Sequence, residues 1–166
     1  MDSKYIIREA TDADYPQIIG IFKYCWDKHF ENTPEDYNNI LKNIKDAFDS
    51  RQGYFNFWVF DNGEGEIYGW QCCLQVFNSP LRKGYNGEII TYVRHDKQNG
   101  LVAERIRRRV IDDILENSPL MALWTHIDPS NIVSQKLAVH WGFTKIAEIP
   151  NSPYYQINGL WIKPLK

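Results

Sequence analysis

The chain has 166 residues, 43% of them hydrophobic and 24% charged, so it is long enough for one domain with a sizeable core and too apolar for a disordered chain. Its 19 basic and 21 acidic side chains sum to −2, which excludes a global field aimed at nucleic acid or an anionic membrane. Six Trp, ten Tyr and eight Phe exceed what a small core needs, so rings lining a pocket or interface are expected beside the buried ones.

Lys4 to Glu9 is a short run ending in Thr11-Asp12, which suits a helix entry. Ile18, Ile19, Phe22, Trp26 and Phe30 recur at helical spacing and predict a first helix over 14–30. Thr33-Pro34-Glu35 opens a second, carried through Tyr37, Ile40, Leu41, Ile44 and Phe48 and ended by Gly53. Tyr54 to Phe60 and Ile67 to Phe77 read as strands joined by the hairpin loop Asp61-Asn62-Gly63-Glu64-Gly65. A loop from Asn78 to Asn86 leads to a strand over Glu88–Val93, a polar segment to Gly100 and a helix over 102–116. Leu120 to Ile127 is a further strand; Asp128 to Asn131 punctuates it before a helix over 132–141. Phe143–Ile149 and Tyr154–Ile162 close the chain as paired strands. The expected order is β-α-α-β-β-β-α-β-α-β-β, a single α/β (α+β) domain over 1–166 with a mixed sheet.

The opening MDSKYIIREA lacks the pattern of a secretory signal, and no run approaches the ~20 apolar residues of a membrane span. Cys25, Cys72 and Cys73 are odd in number, and the adjacent two point to opposite faces of a strand, so free thiols in a reducing cytoplasm are expected. His29, His95, His126 and His140 are scattered, and no metal ion is expected.

The chemistry concentrates in EIITYVRHDKQNGLVAE, residues 88–104. A β-branched strand runs through a polar loop with Asn99-Gly100 into a helix, whose first-turn N–H groups and dipole together suit a pyrophosphate. An ordinary βα turn has the same pattern. Gln98-Asn99-Gly100-Leu101-Val102-Ala103 resembles the Gln/Arg-x-x-Gly-x-Gly/Ala acyl-CoA loop of the GNAT N-acetyltransferase superfamily, with Leu101 at the usual middle glycine. Asn131-x-x-Ser134-x-x-Leu137 followed by Gly142-Phe143 resembles the second motif of that family. Glu88-x-x-x-Tyr92-Val93 and His95 are most similar to the phosphinothricin-type amino-acid acetyltransferases.

The resemblance implies a centrally splayed sheet of about seven strands with about four helices, and acetyl-CoA as cosubstrate. It places Thr91, Tyr92 and Val93 along pantetheine, and Gln98, Asn99, Gly100, Leu101, Val102, Ala103 and Glu104 around the pyrophosphate. Asn131 would contact the cofactor arm, cap the following helix, or do both. Glu88 is the candidate general base for a small primary amine such as an amino acid; a solvated carboxylate is its other reading. Ala138 stands where many relatives carry an acidic Tyr, leaving Tyr92, Tyr154, Tyr155 or water as proton donor. Arg105, Arg107, Arg108 and Arg109 read first as a face paired with Asp112 and Asp113, then as a ribose-phosphate contact. Tyr24, Trp26, Phe30 and Tyr37 are candidate acceptor walls, although a helical aromatic stripe is more often core, and Arg82 and Lys83 are candidate partners of a substrate carboxylate or simply solvated loop charges. Two other functions stay open at this stage: an acyl-CoA sensor without chemistry, and an acetyltransferase acting on protein. The family also admits a homodimer; neither nucleic acid nor membrane is expected as a partner.

Overall fold

Eleven main elements follow one another in the order expected from the hydrophobic pattern: β1 (Ile6–Glu9), α1 (Tyr15–His29), α2 (Pro34–Asp49), β2 (Phe57–Asp61), β3 (Ile67–Val76), β4 (Tyr85–Val93), α3 (Leu101–Arg107), β5 (Leu120–Ile127), α4 (Ile132–His140), β6 (Thr144–Ser152) and β7 (Tyr155–Pro164). The computed structural model of the protein describes residues 5–29, 34–76, 84–97, 100–152 and 155–165, without the side chains at 27–29, 34–36, 149–152 and 155–158. Lys4, Phe30, Thr33, Phe77 to Lys83, Gln98, Asn99, Pro153 and Tyr154 therefore lie outside the described residues. The strands form a seven-stranded sheet in the order β1-β2-β3-β4-β5-β7-β6. β4 and β5 pair in parallel, whereas β1/β2, β2/β3, β5/β7 and β6/β7 pair antiparallel.

The chain divides into two compact units, Met1–Leu74 with Thr91–Ser118, and Gln75–Ile90 with Pro119–Lys166. In the first, every residue of β2 is buried, as for a strand covered on both faces. On one face the Trp70 indole N–H donates to the Ile18 carbonyl of α1 at 3.0 Å, and Phe48 of α2 packs edge-on against Phe57. On the other face, a Cβ added at Gly69 would stand 2.9 Å from Val102 of α3 and 3.0 Å from the Tyr92 carbonyl, so β3 needs glycine for this approach. The β2–β3 loop is built as its composition requires. Asp61 accepts the amides of Gly63 and Gly65, and Asn62 those of Glu64 and Glu66.

The expected 102–116 helix is not α-helical throughout. Leu101–Arg107 is α, and Arg108–Leu115 is a π-helix, with Glu116 N–H donating to the Ile111 carbonyl five residues back. The core residues explain the wider turn: Ile106 and Ile111, and Val110 and Leu115, are five apart and all fully buried. The ion pair of Arg107 and Asp112, 2.8 Å, has the same five-residue spacing. Several strand limits also differ from expectation. Tyr54 to Asn56 precedes β2 as a turn closed by the Gln52–Phe55 bridge, β4 begins at Tyr85, and β6 runs through Pro150 to Ser152.

In the second unit, Leu120, Ala122, Leu123 and Ile127 of β5, Ala138 of α4 and Trp161 of β7 are buried. α4 ends on Gly142 at φ +83, with Phe143 N–H donating to Ala138 O and Gly142 N–H to Val139 O, at 2.9 and 3.0 Å. The Gly-Phe pair is thus a Schellman cap, in which glycine takes the left-handed position and the two amides satisfy orphan carbonyls.

Candidate active site

β4 delivers the first group of candidates. Thr91, Tyr92 and Val93 are all half-buried at its C-terminal end. The Tyr92 ring is turned into the core, 5.0 Å from Trp70 and edge-on to Phe22 at 5.4 Å. The Val93 carbonyl accepts the Cys25 thiol at 3.7 Å.

The connection to α3 is pinned before it reaches the helix. Arg94 N–H donates to the Tyr68 carbonyl at 2.9 Å, and the Arg94 guanidinium, lying over the Tyr68 ring, pairs with Glu66 and Asp96 at 2.5 and 2.6 Å. His95 stacks on Tyr24 of α1 with ring centres 4.0 Å apart. Gln98 and Asn99 lie outside the described residues. Gly100 caps α3 at φ +81, and nothing lies within 4 Å of where its Cβ would be. Glu104 N–H makes the first intrahelical bond, to the Gly100 carbonyl at 3.0 Å; the turn before it is where a helix presents amides to an anion.

Val102 and Ala103 are buried toward the sheet. Leu101 is 47% exposed and borders a surface cavity of about 380 Å³ with Tyr5, Phe60, Arg105 and Arg108. Its isobutyl group therefore lies on the side of α3 away from Val102 and Ile106. Glu104 pairs with Arg107 at 2.9 Å and Arg109 with Asp113 at 3.3 Å, so part of the basic run is the paired face expected of it. Arg105 lies over the Tyr5 ring, 5.8 Å from its centre.

Glu88 and Asn131 belong to the second unit. The parallel ladder joins Tyr85–Glu88 to Leu120–Trp124, and Glu88 opposite Trp124 is its last rung, although both strands run on. β5 meanwhile stays paired with β7 as far as Ile127 opposite Gly159. Beyond Trp124, β5 thus keeps one neighbour among the described residues. The Glu88 side chain is 24% exposed, and its Oε1 lies 2.8 Å from Nδ1 of His126, a histidine that inspection of the sequence weighed only as a metal ligand. Asn131 accepts the Ser134 amide at 3.0 Å and is the N-cap of α4, one of its two expected duties.

The aromatic stripe of α1 is mostly core. Trp26 is buried against Phe22 and Tyr37, the core reading of its stripe rather than an acceptor wall. Tyr24 is exposed and Tyr37 half-buried, while Phe30, Arg82 and Lys83 lie outside the described residues. Cys25, Cys72 and Cys73 are all buried. Among the described residues no helix is long and apolar enough to cross a membrane, and no group of three His, Cys, Asp or Glu could hold a metal.

Comparison with known proteins bears on the family and the fold. The model of the acetyltransferase (GNAT) domain matches residues 4–144. No curated protein matches the sequence significantly. A protein provisionally named a phosphinothricin N-acetyltransferase superposes with a TM-score of 0.72 at 15% identity, covering 98% of this chain and 99% of the other. The Salmonella typhimurium protein yncA, solved with its cofactor acetyl-CoA, gives 0.72 at 17% identity over 99% of this chain and 95% of its own. An acetyltransferase of the GNAT family from Staphylococcus aureus Mu50 gives 0.73 at 17% identity, covering 98% and 99%. With the family model spanning most of its length, the chain belongs to the GNAT acetyltransferase family.

Proposed function

We propose that residues 1–166 act as one domain, an acetyl-CoA-dependent N-acetyltransferase that acetylates the primary amine of a small molecule, amino acids among them. The observation that carries this reading is the parallel ladder ending at Glu88 opposite Trp124 while β5 runs on to Ile127, which leaves an edge of β5 that an extended amide-bearing arm can join. The turn into α3 suits the rest of such a ligand. Gly100 has open space at its Cβ position, and the helix start supplies amide donors, with Gln98, Asn99 and Leu101 to Glu104 as the loop's contacts. Acetyl-CoA, when bound, supplies an activated acetyl thioester.

The chain's own work is to align and deprotonate the acceptor. Thr91, Tyr92 and Val93 offer a rigid strand end to the arm, and Asn131 lies at the start of α4 for a further contact. An ammonium is not a nucleophile, so a group must take its proton, directly or through water. Glu88 is that base in this reading: half-buried at the end of the ladder, with carboxylate oxygens that can accept a proton and return it to solvent. No metal is assigned a part. Three cysteines, two of them adjacent in sequence, suit a reducing, cytoplasmic setting.

Calorimetry with acetyl-CoA tests the binding, and release of coenzyme A thiol against a panel of amines and amino acids tests the chemistry. Glu88→Gln is expected to lower kcat by about 10²- to 10⁴-fold, the range of a general base, with acetyl-CoA affinity kept. Binding without turnover on any amine or peptide would make the protein a sensor, and turnover on peptides alone a protein acetyltransferase.

A further inference from the structure

We propose that His126 is the positioning residue of the Glu88 carboxylate, an inference that rests on Glu88 being the base. The two side chains meet at 2.8 Å, Nδ1 to Oε1. Their meeting follows from the sheet. Glu88 lies opposite Trp124 in the parallel register, and His126, two residues further along β5, points to the same face as Trp124. The diagonal between them lies just past the last backbone rung, so the side chains meet where the ladder has ended.

The chemistry assigns the hydrogen. An ionised carboxylate has only acceptors, so Nδ1 of a neutral ring must carry the proton, and the Nε2 lone pair is left facing elsewhere. Glu88 Oε1 is thereby held, and Oε2, which bonds to none of the described residues, is left for the amine or its water. A glutamate has several rotatable bonds, and a catalytic group loses rate steeply when its position wanders. Held by His126, one oxygen is fixed without being neutralised.

The kinetic test uses His126→Ala, His126→Asn and Glu88→Gln, alone and with His126→Ala. His126→Ala is expected to lower kcat about 10- to 100-fold, the loss of one hydrogen bond to a charged group, with the KM for acetyl-CoA unchanged. Asparagine places an amide N–H near the Nδ1 position, so His126→Asn is expected to recover most of that rate. In the Glu88→Gln background, His126→Ala is expected to cost nothing more. Independently of turnover, nitrogen NMR at about pH 8.5, where an ordinary imidazole is neutral, is expected to show His126 as the Nδ1–H tautomer and to show Nε2–H in Glu88→Gln.

A wild-type rate for His126→Ala beside a slow Glu88→Gln overturns the positioning role alone. So does a His126→Asn enzyme as slow as His126→Ala, which would mean that Nε2 itself reacts, and so does an Nε2–H tautomer in the unaltered protein. A wild-type rate for Glu88→Gln removes the base assignment itself.

Discussion

Asn131 holds two duties that substitution can separate. Its side-chain oxygen accepts the Ser134 amide, so Asn131→Ala is expected to cost about 1 kcal/mol in denaturant unfolding. Asn131→Asp keeps the accepting oxygen and loses the amide donor. Unfolding midpoints near wild type, together with weaker acetyl-CoA binding by calorimetry, would assign the donor to the cofactor. At this scale the sequence is uneven evidence. Asn131 could be named from its place before a helical run, and Glu88 from its strand. His126 could not, because its meaning depends on which strand lies beside β5 and in which register. Trp26 carried two readings, because helical spacing marks a buried stripe as readily as a pocket wall, and burial between Phe22 and Tyr37 selects the core.

The turn into α3 is the element on which cofactor binding depends most. A β-branched residue at φ +81 is strained and would project into the open space at the loop. Gly100→Val is therefore expected to weaken acetyl-CoA binding at least 10-fold by calorimetry, whereas Gly100→Asn, which tolerates the left-handed region, is expected to lose less. Leu101 occupies the position of a family glycine, yet its side chain is exposed beside Tyr5 and Arg105. The Arg94 pairs with Glu66 and Asp96 hold the start of the connection from behind. Elements were legible where apolar residues recur regularly, as in α1 and α2. The π-helix was not: Ile106, Val110, Ile111 and Leu115 fit a helix of either pitch roughly, and only full burial of all four selects the wider one. Tyr54 and Phe55 are strand-forming residues, but the turn closed by the Gln52–Phe55 bridge claims them.

Across the whole molecule, the order of strands and helices was readable because breaks such as Asp61–Gly65, Asp128–Asn131 and Gly142 fall where elements end. Stability toward acid rests on contacts that pattern does not reveal. Arg8 of β1 bonds Asp14 at 2.7 and 2.9 Å and Asp61 of β2 at 2.8 and 3.2 Å. The Arg8 bonds outweigh the burial of Asp14, whose side chain is only 7% exposed, and Thr11 adds two more, so its pKa falls to about 2. Burial raises that of Asp61, but Arg8 and the amides of Gly63 and Gly65 together bring it below the ordinary value. A carboxyl more acidic when folded stabilises the fold above its unfolded pKa, and that contribution fades as pH falls through the folded one. For Asp14 the window runs from about pH 4 down to about 2 and is worth about 2 kcal/mol. Asp14→Asn is expected to lower the urea midpoint at pH 7, with the gap to wild type closing toward pH 2. The sequestered sulfurs of Cys25, Cys72 and Cys73 have a practical corollary. An Ellman-type reagent will find no reactive protein sulfur in the native state, so yellow colour during turnover counts coenzyme alone, and the same reagent becomes a clock for global opening once heat or denaturant uncovers the three.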